Sequence, residues 1–452
     1  MAETRGMIFT EGPIAGPLIR FALPMLAASF LPSMYGAVDL MVVGKFAGTA
    51  DVSAVSTGSQ VMMTVTSIFM GLAMGMTILL GQKIGEGNAK EGGCIIGAGI
   101  LLFTLIGLIG SILLGIFAPS LAALMNAPAE SFTRASQYIR ICGIGSLAII
   151  AYNTLGAVFR GIGDSRTPFM SVTIACICNI LGDLLFVAVF GMGTAGAALA
   201  TVMAQLISVA VSLYLVSRMS LPFTFSLSDI GWHRTQIRRI LGLGFPIALQ
   251  DLMVNISFMV ILAIVNSLGL VVSAGVGVAE KVCGFVMLVP SAFSQAVSAF
   301  ASQNKGAGKY DRAVRGMLCA VGICFAFSIV ISWFVFFRGT IPASMFASDP
   351  EVIHAAAEYL KAYAIDVLLT SLFFNMTGFF NGIGKTRFVM IQGIFGAFLV
   401  RIPVSYLMSR RVPVSVFLLG LATPASSLVQ VLLCVLYFLH IKRKQEFDVK
   451  HS

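Results

Sequence analysis

Apolar stretches long enough to cross a membrane follow one another along most of the chain, from residue 14 to residue 440. A bilayer core of about 30 Å needs roughly 20 apolar residues in one helix, because a helix rises about 1.5 Å per residue. Charged residues make up only 11% of the chain, so few of them interrupt these stretches. The sequence therefore predicts an all-α polytopic membrane protein. The predicted spans are 14–44, 52–82, 94–118, 133–160, 168–190, 194–217, 238–267, 271–303, 314–337, 354–381, 388–409 and 413–440.

Two polar motifs each occur twice at one separation. Residues 82–87 (QKIGEG) return 221 positions later as 303–308 (QNKGAG), and residues 161–166 (GIGDSR) return as 382–387 (GIGKTR). Internal repeats in membrane proteins are typical of transporters that rock one half against the other. Both copies fall in loops predicted on the same side, so we expect two six-helix lobes related by a pseudo-twofold axis along the membrane normal. The predicted domains are an N-lobe (1–220), a cytoplasmic inter-lobe loop (221–237) and a C-lobe with a basic tail (238–452).

The net charge of +10 is placed mainly in alternate loops, as the positive-inside rule expects. We therefore predict a multi-pass protein of the cytoplasmic (inner) membrane, in contact with membrane lipids and with both termini in the cytoplasm. This distribution argues against a nucleic-acid partner, and nothing in the sequence indicates a required protein partner.

Neither nucleotide binding nor catalysis is expected. Residues 384–386 (GKT) resemble the end of a phosphate-binding loop, but that loop needs a glycine where this chain has Phe379. The four histidines are far apart in sequence and lie outside the spans or at their ends, which leaves no nucleophile–base set for an enzyme. We expect no cofactor.

Carboxylates inside predicted spans mark the candidate site, because an ionisable side chain at mid-bilayer costs about 2.5–3.5 kcal/mol on insertion scales. Asp39 on span 1 and Asp183 on span 5 are predicted roughly 9–12 Å below the outer boundary. Asn179 shares a helix face with Asp183, and Thr201 on span 6 lies at the same depth. Together these side chains could form an oxygen cage for Na⁺ or a carboxyl pair that binds H⁺. The alternative is a hydrogen-bonded cluster that only holds helices together.

The second half does not repeat this cluster. Its intramembrane charges are Asp251, Glu280, Asp366 and Arg401, which could form a structural polar network or a second coupling or substrate site. A cavity for substrate is predicted in the first half, where flexible methionines are frequent and could accept molecules of many shapes. Its candidate residues are Tyr35, Met62 and Asn153.

The chain resembles the multidrug and toxic compound extrusion (MATE) family of cation-coupled efflux transporters, bacterial type. The resemblance covers nearly the whole length. It rests on twelve spans in two repeats, the paired glycine loops, the turn 160–164 (RGIGD) and the run 290–295 (PSAFSQ). It implies a V-shaped pair of lobes that opens a central cavity alternately to each side of the membrane.

Family members with a coupling site in the N-lobe build it from an Asp on span 1, an Asn and an Asp on span 5, and a Thr on span 6. Asp39, Asn179, Asp183 and Thr201 match those positions. Pro24 stands fifteen residues before Asp39, where the resemblance implies a proline that bends helix 1.

The resemblance implies an antiporter that exports small amphipathic, cationic organic compounds in exchange for H⁺ or Na⁺. The alternative is a flippase for lipid-linked sugars with a related fold. A flippase is expected to carry a more basic cavity, whereas the intramembrane charges of the first half are acidic.

Overall fold

The computed structural model describes residues 7–219, 221–223, 225–411 and 413–450, without the side chains of Ala89 and residues 444–450. Residues 1–6 and Ser220 of the predicted N-lobe, Thr224 of the predicted inter-lobe loop, and Val412 and residues 451–452 of the predicted C-lobe lie outside the described residues. Within the described ranges the chain is helical apart from short connections, and no strand is present.

The helices follow the apolar stretches of the sequence. The α-helices are α1 (Ala15–Phe46), α2 (Thr49–Gly85), α3 (Ala89–Leu124), α4 (Ala129–Ile144), α5 (Ser146–Gly161), α6 (Arg166–Asp183), α7 (Gly193–Ser217), α8 (Arg234–Asn266), α9 (Leu270–Val286), α10 (Leu288–Gly306), α11 (Tyr310–Arg338), α12 (Thr340–Ser344), α13 (Pro350–Gly382), α14 (Thr386–Phe395), α15 (Ile402–Ser409), α16 (Val416–Gly420) and α17 (Ala422–Lys450). Leu184–Val189 and Gly396–Arg401 are π-helical, and Leu227–Asp229 forms a 3₁₀ turn.

Eleven helical segments are long and apolar enough to cross a membrane, and α4 with α5 forms a twelfth if this bent pair is one span. The predicted all-α polytopic fold is therefore confirmed. The predicted span 133–160 corresponds to this pair, in which the chain bends by 49° between α4 and α5. Gly145 lies at the bend and Gly143 two residues before it, and glycine weakens a helix by about 1 kcal/mol per residue relative to alanine.

Contacts divide the chain into two compact units. Unit 1 comprises residues 1–248 together with 302–309, and unit 2 comprises 249–301 and 310–452. In unit 1, α2, α3, α5 and the start of α8 share a core that contains Met76, Leu80 and Phe159. In unit 2, α9 and α13 share a core that contains Val276 and Leu360. Each unit therefore buries its own apolar side chains.

A buried carboxylate joins three helices of unit 1 near the start of α2. Asp51 accepts hydrogen bonds from the Thr194 backbone N–H at 3.1 Å and from the Thr194 hydroxyl at 2.6 Å. Its other oxygen accepts from Arg134 Nη1 at 2.6 Å, which connects α2 to α4 as well as to α7. A Cβ at Gly193 would lie 2.8 Å from the Asp51 carboxylate, so only glycine leaves room for this contact.

We predict that Asp51→Asn lowers the thermal stability of the purified protein. The amide keeps the size of the side chain but loses the charge-assisted bond from Arg134, at a cost of about 2 kcal/mol. Thermal unfolding in detergent measures the change. Lys361→Gln is the matched control, because it removes the more exposed Lys361–Glu358 pair, which should contribute less than about 1 kcal/mol. Equal melting temperatures for the two variants would contradict the assignment.

Candidate functional site in unit 1

The carboxyl groups of Asp39 and Asp183 meet in the interior of unit 1. Asp39 lies on α1 about 10 Å from its last residue, and Asp183 is the last residue of α6. Asp39 is 5% exposed and Asp183 is fully buried. The two carboxyl groups lie within hydrogen-bonding range of each other. Because ionised carboxylates only accept hydrogen bonds, this contact is a hydrogen bond only when one of the two carries a proton.

No other polar group compensates this pair among the described residues. Neither Asp183 oxygen nor Asp39 Oδ1 accepts a hydrogen bond from a described N–H or O–H donor. None of the described Lys, Arg or His side chains lies within 4.0 Å of either carboxylate. An uncompensated buried charge is costly, so the geometry favours a bound cation at this place.

The backbone changes its helical form where the second carboxylate stands. The chain leaves the α-helix at Asp183 and continues as the π-helix Leu184–Val189. Such π segments are rare and are frequently found at functional sites. Asn179 lies one turn before Asp183 on the same helix and is 1% exposed, with no hydrogen-bond partner for its amide among the described residues. The amide oxygen is therefore available as a ligand atom in addition to the oxygens of the two carboxyl groups.

Thr201 is linked to the site through Tyr138. The Thr201 hydroxyl donates to the Ala197 carbonyl at 3.0 Å and lies within hydrogen-bonding range of the Tyr138 hydroxyl. Gly182 of α6 packs on Ala200 of α7, where an added Cβ would lie 3.0 Å from the alanine methyl group. This close approach of small residues brings the helix that carries Thr201 next to the helix that carries Asp183.

Tyr138 and Ser59 were not predicted from the sequence to lie near this site. The Tyr138 hydroxyl accepts a hydrogen bond from Ser59 at 3.1 Å and lies within electrostatic reach of Asp39. The ring occupies space left by Gly58, since a Cβ there would overlap the ring. A polar run at 56–60 (STGSQ) inside an apolar span was the available signal. Its partner lies 79 residues away, so the pairing itself was not visible.

The predicted cavity residues occupy different surroundings. Tyr35 is partly exposed and lies within electrostatic reach of Asp39 and Tyr152. Met62 is 7% exposed and packs in an apolar cluster. Asn153 is 6% exposed and donates its amide N–H to the Ile149 carbonyl of its own helix at 2.8 Å. A role for these three in binding substrate stays a prediction.

Two of the four charged residues predicted as a polar network, Asp366 and Arg401, are buried in unit 2. Arg401 ends the π-helix, donates from Nη1 to the Ser257 hydroxyl at 3.3 Å and stacks over the Phe258 ring at 4.5 Å. Asp366 lies within hydrogen-bonding range of Ser427 and within electrostatic reach of Arg401. Among the described residues these two charges do not form an ion pair within 4.0 Å.

The other two acids of unit 2 are only partly buried. Glu280 lies near Tyr359 and Cys283, and its Oε1 atom has no hydrogen-bond partner among the described residues. Asp251 is half-buried on α8. A structural network and a second coupling site both stay predictions for this set. Within the described part of the chain, no three His, Cys, Asp or Glu side chains form a metal centre.

Known proteins match this chain along most of its length. The family model MatE matches residues 24–185 and again 246–407, so its two matches begin 222 positions apart. The chain is 28% identical to the "Probable multidrug resistance protein YpnP" of Bacillus subtilis (strain 168), over 89% of this chain and 90% of the relative. It is 26% identical to the "FAD transporter" of Shewanella oneidensis, over 80% of each. A crystal structure of "MATE in complex with MaL6" superposes with a TM-score of 0.91 at 19% identity, covering all of both chains.

We predict that Asp183→Asn does not lower the thermal stability of the purified protein. The amide can donate a hydrogen bond to Asp39, so the buried pair no longer needs a proton to avoid charge repulsion. Thermal unfolding in detergent measures the effect, with Asp51→Asn as the control for a carboxylate that has donors. A loss of stability as large as that of the control would show that Asp183 only holds helices together.

Proposed function

Because the chain belongs to the MatE family of transporters, we propose that it is a secondary active multidrug efflux antiporter. It exports small amphipathic organic compounds, cationic ones among them, in exchange for an inward cation by alternating access. It lies in the cytoplasmic membrane with both termini in the cytoplasm. The observation that carries the proposal is the contact between two buried carboxyl groups, Asp39 and Asp183, with no compensating donor among the described residues.

The carboxyl contact supports H⁺ as the coupling ion. A single proton converts two repelling carboxylates into a hydrogen-bonded pair, which a buried site can hold without further ligands. Na⁺ usually needs several oxygen ligands, so two carboxyl groups alone hold it less readily than they share a proton. The amide of Asn179 keeps Na⁺ open as the alternative ion, because it adds a third ligand to the two carboxylates.

Coupling follows if cation and substrate bind the two conformations unequally. Binding of the cation lets α1 and α6 pack closely, and its release leaves two charges that push these helices apart. Pro24 lies inside α1, where it removes a backbone hydrogen bond and makes the helix easier to bend. A membrane potential of about 100 mV supplies about 2.3 kcal/mol for each charge that crosses.

The acidic interior of unit 1 supports export of cationic compounds. Among the described residues no Lys, Arg or His side chain lies within 4.0 Å of Asp39 or Asp183 to bind the pyrophosphate of a lipid-linked sugar there. The relatives named above are described as a multidrug resistance protein and a FAD transporter, which does not favour the flippase alternative.

We predict that Asp39→Asn and Asp183→Asn each reduce gradient-driven efflux of ethidium at least tenfold. Neither variant can complete the cycle of cation binding and release at the carboxyl pair. Fluorescence of proteoliposomes measures transport, with a pH gradient and a Na⁺ gradient imposed separately. If H⁺ is the coupling ion, only the pH gradient drives efflux by the unaltered protein.

Glu358→Gln is the control, because this acid lies outside unit 1 and pairs with Lys361 instead. It should transport like the unaltered protein. Unchanged efflux in both aspartate variants would overturn the assigned coupling site. Efflux driven by a Na⁺ gradient alone would show that Na⁺, and not H⁺, is the coupling ion.

A further inference from the structure

A short segment near the start of the chain crosses the glycine turns of both sequence repeats within unit 1. We call Met7–Thr10 the strap. The Met7 N–H donates to the Gly163 carbonyl at 3.2 Å, which binds the strap to the first repeat. Lys309 donates from Nζ to the Thr10 carbonyl at 3.0 Å, which binds it to the second repeat.

Gln303 joins the strap to both repeats through one side chain. Its Oε1 accepts a hydrogen bond from the Phe9 N–H at 3.0 Å, and its Nε2 donates to the Gly161 carbonyl at 3.3 Å. The neighbouring Asn304 donates from its amide to the Phe9 carbonyl at 3.1 Å. Gln303 is 1% exposed, so these bonds form in a site that water hardly reaches.

The Phe9 side chain anchors the strap. It is fully buried and packs edge-to-face on Phe21 of α1, with ring centroids 5.6 Å apart. Burial of a phenylalanine ring is one of the larger favourable contributions that a single side chain can make. Gly163 adopts φ +80°, and a Cβ there would lie 2.5 Å from the Met7 carbonyl oxygen. The backbone conformation and the missing Cβ of Gly163 thus leave space for the strap at this turn.

Beneath the strap, the ends of α2 and α10 touch through their backbones. A Cβ at Gly85 would overlap the Gln303 carbonyl, and a Cβ at Gly306 would overlap the Gln82 carbonyl. Ser302 is fully buried where it packs on Gly81. The repeated glycines therefore let the two turns approach each other more closely than any other residue would allow.

We propose that the strap and Gln303 form a latch that holds the turns of the two repeats together on the predicted cytoplasmic side and releases when that side opens. The inference rests on the proposed function, because alternating access requires a contact on this side that forms and breaks. The latch consists of a few hydrogen bonds and one buried ring, so it is stable and still reversible. Gln303 is its positioning residue, since its side chain bonds both to the strap and to the Gly161 turn.

The test measures opening directly, in the absence of substrate and of any gradient. Ser302→Cys introduces a near-isosteric thiol at the buried contact. A membrane-impermeant maleimide is added to inside-out vesicles, and labelling at position 302 is quantified by peptide mass spectrometry, so that the eight native cysteines need not be removed. We expect slow labelling with the latch intact.

In the Ser302→Cys background, Gln303→Ala should raise the labelling rate about tenfold, which corresponds to about 1.4 kcal/mol. Phe9→Ala should raise it at least as much. Gln303→Glu should give a smaller rise of about threefold, because its carboxylate still accepts from the Phe9 N–H but cannot donate to Gly161. This graded variant keeps the test informative if Phe9→Ala does not fold.

Thr77→Val is the matched control. Thr77 is 1% exposed and donates to the Ala157 carbonyl at 3.0 Å in the same unit, a bond that involves no residue of the strap. It should lose similar stability and leave the labelling rate unchanged. Labelling of the Gln303→Ala and Phe9→Ala proteins at the rate of this control would overturn the latch.

Failure of the latch and failure of the proposed function give different results. Faster labelling in Gln303→Ala without efflux of any dye would support the latch and count against multidrug export. Efflux that depends on Asp39, combined with unchanged labelling, would support the antiporter and remove the latch. Labelling only in right-side-out vesicles would overturn the latch on the predicted cytoplasmic side by placing the turns on the opposite side of the membrane.

Discussion

The contact between the Asp39 and Asp183 carboxyl groups constrains how closely α1 packs on α6 in unit 1. At an effective dielectric constant of about 20, two like charges about 4 Å apart repel by about 4 kcal/mol. No described donor offsets this repulsion. The close packing of α1 on α6 is therefore less costly when one of the two carboxyl groups is neutralised. Under the proposed function, this dependence would link cation binding at the pair to the packing of two helices.

The rest of unit 1 keeps these helices close enough for that contact to matter. Lipid gives apolar helices no hydrophobic reason to associate, so close packing of small residues and buried hydrogen bonds must hold them. Gly182 lets α6 approach α7, and Gly58 leaves space for the Tyr138 ring beside the site. Asp51 connects α2, α4 and α7 near their ends. Asp51 thus has hydrogen-bond donors for both of its oxygens, whereas the Asp39 and Asp183 pair has none among the described residues beyond the contact between the two carboxyl groups.

Much of this organisation could be predicted from the sequence, because a charge inside an apolar stretch is conspicuous. Asp39 and Asp183 stood out for that reason, and helical spacing added Asn179. The spans were predictable from their length and apolar character. Tyr138 and the bond from Thr194 to Asp51 were not, because uncharged residues give little signal and their partners are 79 and 143 positions away. Only the tertiary packing of the helices brings such pairs together.

The local bends and π-helical turns of the backbone also could not be predicted from the sequence pattern. The helix break at Gly145 and the π-helix after Asp183 both lie within apolar stretches of the sequence. The hydropathy of these stretches therefore predicts ordinary membrane spans in both regions. Both regions pack against neighbouring helices. Gly145, for example, lies against Val202, where a Cβ would come within 2.5 Å of the valine side chain. Apolar character establishes that a segment crosses the membrane, and the contacts of particular residues determine how it is bent.

The two repeats have the same residue where their backbones touch and different residues where a polar side chain makes the contact. Gly85 and Gly306 each approach a glutamine carbonyl of the other turn, and this reciprocal packing needs glycine in both copies. In the other repeated turn, Asp164 accepts two backbone N–H bonds at the start of α6, whereas Lys385 at the matching position provides no side-chain cap for α14. A duplicated chain thus keeps a paired backbone contact in both repeats, whereas the carboxyl pair is not repeated, since Ile261 and Val404 stand where the offset places Asp39 and Asp183.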